Sequence, residues 1–267
     1  MNTDTFIEIG NQHKVCEDYI IQGDDPVPFI ILSDGCSSSK NTEMGARLLC
    51  YLAKQYLKYR SIDELNNLDY DKMGRWIIHN AEMSARQLGL SISCLDATLI
   101  IAYHINDMVK IYIYGDGCVV AQAGDYIEIT SVDFERNAPF YLSYFIDDYR
   151  FELYKKLKLT KTLVGDSNEE EGSTFRNRLP YDSKVVLFYD TTVFKTIMIC
   201  SDGLQSFLQK TSTHVPASNI VPEMLEFKNI KGEFLKRRLN KYMKQLSKSG
   251  IGHTDDLSVG AFINIEV

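Results

Sequence analysis

Three apolar runs in this 267-residue chain stop on a carboxylate beside a glycine. Phe29–Ser33 leads into Asp34-Gly35, Lys110–Tyr114 into Gly115-Asp116-Gly117, and Thr196–Ser201 into Asp202-Gly203. Near the C-terminus Asp255-Asp256 stands directly before Leu257-Ser258-Val259. Each run reads as a buried strand, and each glycine lets the chain turn sharply after it. Strand ends of this kind deliver carboxylates to one sheet edge. Asp34, Asp202 and Asp255 gathered there would repel one another and resist ionising unless a cation lay between them. Oxygen ligands of this type suit Mg²⁺ or Mn²⁺. Taken singly, a strand-end aspartate is a turn former or helix cap, and Asp116 between two glycines fits that role as well as a ligand's.

The elements that would place these residues follow from the apolar pattern. Strands are expected at Phe6–Ile9, Tyr19–Ile21 and Phe29–Leu32, then over 95–104, 108–115 and 118–123, with Asn106-Asp107 as a hairpin turn. Further strands are expected at 184–190, 195–201 and 257–265. A helix over 42–59 puts Leu48, Leu49, Leu52, Ala53, Tyr56 and Leu57 on one face, and one over 71–89 aligns Met73, Trp76, Ile77, Ala81, Ala85 and Leu88 before Gly89. Helices are also expected at 203–209, 219–227 and 231–248, the last carrying seven Lys/Arg away from its apolar face. The stretch 131–180 is rich in aromatics and ends in an acidic loop over 165–172, expected to be exposed. Hairpins outnumber βαβ units and no linker divides the chain, so an α+β layered fold in one domain over 1–267 is expected.

Composition narrows the function classes. Apolar residues make up 45% of the chain, enough for a sizeable core. The net charge of −7 argues against a broad nucleic-acid-binding face. Apolar stretches such as Leu99–Tyr103 fall far short of the ~20 residues that span a bilayer. The start, MNTDTFIEIG, lacks the features of a secretion signal. Six cysteines without metal-finger spacing sit mostly in apolar runs, which suits reduced thiols in the cytoplasm.

Taken in order, these blocks resemble the metal-dependent serine/threonine protein phosphatases of type 2C, the PPM family. The blocks are Gly10…His13…Glu17-Asp18, Phe29–Gly35 with Ser37–Arg47, Asp96-Ala97-Thr98-Leu99 with Tyr114–Gly117, Cys200–Leu204, and Asp255–Val259. The Asp96 and Tyr114 blocks stand where the family carries its "GST…GDS" pair. The Asp-Gly-Cys-Ser-Ser-Ser wording, Met44-Gly45-Ala46-Arg47 and His13 are most similar to the bacterial branch. The resemblance covers all but about 131–180, where many members carry a flap near the site. It implies a four-layer αββα sandwich, two antiparallel β-sheets flanked by helices, with the site at one edge.

The resemblance also implies roles. Asp34 would bridge two Mn²⁺ or Mg²⁺ ions, with the Gly35 carbonyl on one and Asp202 and Asp255 on the other; Asp116 would serve a third. Asp256 is the alternative to Asp255 on residue type alone, and the family pattern favours the first of the pair. Glu17 and Asp18 would orient coordinated water from the outer shell. His13 would hold the substrate phosphate, where many members use arginine and its two-pronged grip. Animal members have a histidine after the Asp-Gly as proton donor; Cys36 stands here instead. The expected reaction is hydrolysis of phosphoserine and phosphothreonine in a phosphorylated protein, opposing a serine/threonine kinase, by a bridging metal-bound hydroxide. The non-catalytic alternative is a pseudophosphatase that binds a phosphoprotein.

Overall fold

The computed structural model describes residues 1–168 and 174–264. The first sheet contains, in chain order, β1 (Asn2–Glu8), β6 (Gly117–Ala123), β7 (Tyr126–Phe134), β8 (Thr160–Ser167), β9 (Phe175–Pro180), β11 (Thr196–Cys200) and β14 (Leu257–Ile263), arranged β1-β14-β11-β6-β7-β8-β9. The second contains β2 (Tyr19–Gly23), β3 (Phe29–Ser33), β4 (Leu99–Ile105), β5 (Met108–Tyr114) and β10 (Val185–Asp190), arranged β10-β5-β4-β3-β2. Every pairing within these sheets is antiparallel. A short ribbon joins β12 (Phe207–Gln209) to β13 (Ile251–His253).

Period-2 alternation explains the layers. In β3, Ile30 and Leu32 face the other sheet and pack in the central core with Ile100, Ile111, Val119, Ile199 and Phe262. Phe29 and Ile31 point outward to α1 (Thr42–Lys58) and α3 (Tyr70–Gln87), meeting Leu49, Ala53, Met73 and Ile77. On the far side Val120, Met198, Val259 and Ala261 lie under α5 (Ala217–Met224) and α6 (Phe234–Lys248), through Ile220, Val221, Leu235, Leu239 and Met243. The two smaller helices are α2 (Ile62–Asn66), with a Ser61/Glu64 capping box, and α4 (Asp148–Leu157), capped by Asp147. The architecture is the αββα sandwich that the resemblance implies.

The local expectations hold where one face is buried and change where packing intervenes. Asn106 and Asp107 take φ of 49° and 59°, the left-handed pair a two-residue hairpin needs. Gly115 and Gly117 take φ of 93° and 137°, so the turn that presents Asp116 depends on both. The helix expected at 203–209 is one short 3₁₀ turn over Asp202–Gln205, because Phe207–Gln209 is drawn out to pair with Ile251–His253. The strand expected from 95 begins at Leu99, after a 3₁₀ turn at Ile92–Leu95. The final strand stops at Ile263, and residue 265 lies outside the described residues. The 131–180 stretch proves to be the end of β7, α4, β8 and β9. Of the acidic loop, 165–167 belong to β8 and 169–172 lie outside the described residues.

One residue of that stretch carries a stability prediction. Lys161 on β8 is buried, donates to the Ser183 carbonyl and lies 5.5 Å from the centre of the Phe134 ring. Burial pulls its amine from the usual 10.5 down to about 8. Between those values the unfolded chain holds the proton and the folded one does not, so Lys161's contribution to stability rises with pH. The stability of Lys161→Met minus that of the parent protein should therefore fall, by up to ~3 kcal/mol, as pH rises from 8 towards 10.5. Denaturant melts at pH 7.5 and 10 measure it; an identical difference at both would contradict a buried amine.

Candidate metal and phosphate site

The carboxylates meet where β3, β5 and β11 end and β6 and β14 begin. Asp34 leaves β3 held by a clip from the Asp96-Ala97-Thr98 block. Its backbone N–H donates to Thr98 Oγ1 at 3.1 Å, its carbonyl accepts from Thr98 N–H at 2.8 Å, and Ser33 Oγ donates to the Thr98 carbonyl at 2.6 Å. Asp116 sits on the glycine turn between β5 and β6. Asp202 follows β11, and its neighbour Gly203 lets two segments touch: a Cβ there would lie 1.9 Å from the Asp256 carbonyl oxygen. Asp34, Gly35, Asp116, Asp202 and Asp255 line one cavity of about 240 Å³.

Asp18 lies behind them, buried, and neither of its carboxylate oxygens has a hydrogen-bond partner among the described residues. The hydroxyls of Ser201 and Ser258 are its neighbours, yet Ser201 Oγ donates to the Asp256 carbonyl at 3.2 Å and Ser258 Oγ is unpartnered. Asp202 Oδ1 is likewise buried and unpartnered. Burial, reinforced by the carboxylates of Asp18 and Asp202, pushes Asp34 well above the ordinary carboxylate range. Burial and then Asp202 do the same to Asp116. Burial also raises Asp202 and Asp18. Such a cluster is costly as a set of bare anions.

Its donor chemistry suits a divalent cation. The available donors are anionic and carbonyl oxygens, several lack any partner, and the cavity leaves room for water. Among the described residues no group of three or more His, Cys, Asp or Glu side chains stands placed to hold a metal ion. An ion that keeps much of its hydration, as Mg²⁺ does, needs fewer protein ligands than one held by protein groups alone.

The pair at 255–256 divides sharply. Asp255 lines the cavity with its side chain 41% exposed, whereas Asp256 is 1% exposed and turned inward. Asp256 accepts from the N–H of Gly10 at 2.8 Å and of Glu17 at 2.6 Å, tying the N-terminal loop to the start of β14. Asp256→Ala strands both N–H groups and should cost ~2–5 kcal/mol of stability, while Asp255→Asn should leave the melting temperature nearly unchanged. Thermal melts in chelator check this; equal effects would contradict the division.

His13, Glu17 and Asp18 do not line the cavity. His13 lies between carboxylates, Nε2 at 3.3 Å from Asp255 Oδ1 and Nδ1 at 3.1 Å from Asp256 Oδ2, the latter poorly aligned for a hydrogen bond. Burial opposes its charge, but Asp256, Asp255 and Glu17 prevail and raise its pKa. Glu17 accepts from Thr42 Oγ1 at 3.1 Å. Cys36 does face the cavity, its Sγ 3.1 Å from Ser38 Oγ. The sequence placed Thr98 in a family block and a flap near the site within 131–180, but it gave no role to Thr98 and did not single out Asn137, Pro139 and Tyr141 as cavity wall. The Asn-Ala-Pro wording marks a turn there, but nothing local shows that this turn folds over the strand ends.

A family model described as protein phosphatase 2C matches residues 10–244. The chain belongs to the protein phosphatase 2C family. No curated protein matches it significantly. Solved structures of type 2C-like fold resemble it throughout. A bacterial serine phosphatase aligns with a TM-score of 0.62 at 12% identity, covering 100% of both chains. The serine/threonine phosphatase Stp1 of Staphylococcus aureus gives 0.58 at 13%, covering 99% of this chain and 95% of that one. The Mycobacterium tuberculosis serine/threonine phosphatase PstP/Ppp gives 0.56 at 14%, covering 99% of each. At these identities the likeness is one of fold. Members of the protein phosphatase 2C family are metal-dependent, which accords with the donor set found at this sheet edge.

Proposed function

We propose that this chain is a Mg²⁺- or Mn²⁺-dependent phosphoprotein phosphatase acting on phosphoserine and phosphothreonine, as a single domain over 1–267. The observation that carries the reading is the buried carboxylate cluster, with unpartnered oxygens on Asp18 and Asp202, at the cavity lined by Asp34, Asp116, Asp202 and Asp255. When bound there, divalent ions neutralise phosphate oxygens and lower the pKa of coordinated water.

Asp34 and the Gly35 carbonyl would hold one ion, with Asp34 shared with a second ion held by Asp202 and Asp255; Asp116 would serve a third. Asp18 and Glu17 would support from behind, Asp18 orienting coordinated water and Glu17 holding the loop through Thr42. His13 would hold the substrate phosphate through Nε2, which would be free to donate if Asp255 turned to a cation. The ester is cleaved by water, giving the free hydroxyl side chain and inorganic phosphate. Asp34-Gly35-Cys36 lacks the second aspartate that an aspartyl-phosphate route would use. With no histidine after the Asp-Gly, water would protonate the leaving oxygen. The substrate would be a protein phosphorylated by a serine/threonine kinase, in a cytoplasmic setting.

The position of His13 favours a second reading, a pseudophosphatase that binds a phosphoprotein without cleaving it, since both ring nitrogens already face carboxylates. Release of phosphate from p-nitrophenyl phosphate and from a phosphothreonine peptide separates the two. Release with Mn²⁺ that stops in chelator is the expected result. No metal-dependent release, with peptide binding retained, would establish the second reading.

A further inference from the structure

Asp96 occupies the first position of the block that resembles Gly-Ser-Thr, so a carboxylate stands where that pattern has glycine. Its side chain is only 5% exposed and fully engaged. Arg150 Nη2 lies 2.9 Å from both carboxylate oxygens, Ser143 Oγ donates to Oδ1 at 2.6 Å, and Ser39 Oγ donates to Oδ2 at 2.8 Å. The Asp96 carbonyl accepts from the Cys36 N–H at 2.9 Å. One residue therefore joins the loop after Asp34, through Cys36 and Ser39, to the segment that carries Ser143 and Arg150. That segment begins with Asn137, Pro139 and Tyr141, which wall the cavity. Arg150 also lies 4.8 Å from the centre of the Tyr144 ring, and Ser143 is buried.

We propose that Asp96 and Arg150 form a clasp that holds residues 137–150 against the cavity, making both positioning residues for the phosphatase reaction proposed above. A charge-assisted contact of this kind, shielded from water, keeps its strength and direction where a surface pair would not. The wall is thus preformed. A phosphopeptide meets Asn137 and Tyr141 already in place, and the entropy of ordering them is not lost on binding. Neither residue touches the reacting atoms.

The test compares the parent protein with Asp96→Asn, Arg150→Met and Arg150→Lys. Because Asp96 is buried and its substitution risks the fold, Arg150→Met, with a side chain 28% exposed in the parent, carries the decision. Hydrogen exchange should quicken at least tenfold over 137–150 and 36–39 in Asp96→Asn and Arg150→Met, with α3 unchanged and Arg150→Lys intermediate. With Mn²⁺, KM for a phosphothreonine peptide should rise fivefold or more, while kcat and KM for p-nitrophenyl phosphate stay within about twofold. Unchanged exchange over 137–150 in folded Arg150→Met overturns the clasp. Faster exchange with equal losses for both substrates overturns the positioning role. If the parent releases no phosphate at all, exchange still decides the clasp, and the failure falls on the phosphatase reading.

Discussion

Asp34→Asn is expected to reduce Mn²⁺-dependent phosphate release by about a thousandfold while leaving the protein folded. Asp34 is the central carboxylate of the cluster, acted on by Asp18, Asp202 and Asp116 together. Its backbone is fixed on both sides by Thr98, so the asparagine side chain stays in the same place and only its charge is lost. Bound metal supplies several kcal/mol of charge stabilisation in such reactions, and ~4 kcal/mol corresponds to about 10³ in rate. Steady-state kinetics on p-nitrophenyl phosphate measure the effect. Activity within tenfold of the parent would remove Asp34 from the mechanism.

Metal should also stabilise the fold, and the same substitution should reverse the pattern. At a hundred times its dissociation constant, an ion that binds only the folded state adds ~2.7 kcal/mol. For a chain of this size that is a rise of roughly 5–10 °C in melting temperature. Without metal, the cluster must be held together by protonation and at a cost in repulsion. Asp34→Asn removes the ionisable group at the centre of it, with the cost of burying or neutralising that group, and is expected to raise metal-free stability by ~1–2 kcal/mol. Melts of both proteins in chelator and in Mn²⁺ should thus cross: the variant higher without metal, the parent higher with it. Parallel shifts in both proteins would mean that Mn²⁺ binds elsewhere.

How much of this was legible in the residues follows from what each signal depends on. The continuous apolar run Phe29–Leu32 and the stripe Leu49-Ala53-Leu57 record burial, so a layered α+β fold could be read from them, whereas the αββα sandwich came from the resemblance to the family. Gly115 and Gly117 mark a turn that only glycine makes without strain. By contrast, β8 and β9 sit at the sheet margin, partly exposed on both faces, and present no clean period. The Phe207–Gln209 strand exists only because of a partner more than forty residues away. The division of labour between Asp255 and Asp256 is of the same kind. Residue type does not separate two adjacent aspartates; the N–H groups that claim Asp256 lie 246 and 239 residues away in the chain. His13 shows the limit from the other side. Its place in the motif suggested an anchor for phosphate, while its surroundings are the carboxylates of Asp255 and Asp256. The cavity wall at Asn137–Tyr141 depends on Asp96 and Arg150, a long-range contact without a local pattern.

The central claim is that the strand-end carboxylates form a binuclear metal site. Anomalous diffraction from crystals soaked in Mn²⁺ tests it most directly. The expected result is at least two anomalous peaks inside the cavity bounded by Asp34, Asp116, Asp202 and Asp255, both absent in Asp34→Asn. An empty cavity at saturating Mn²⁺, or peaks confined to surface carboxylates, would contradict the account.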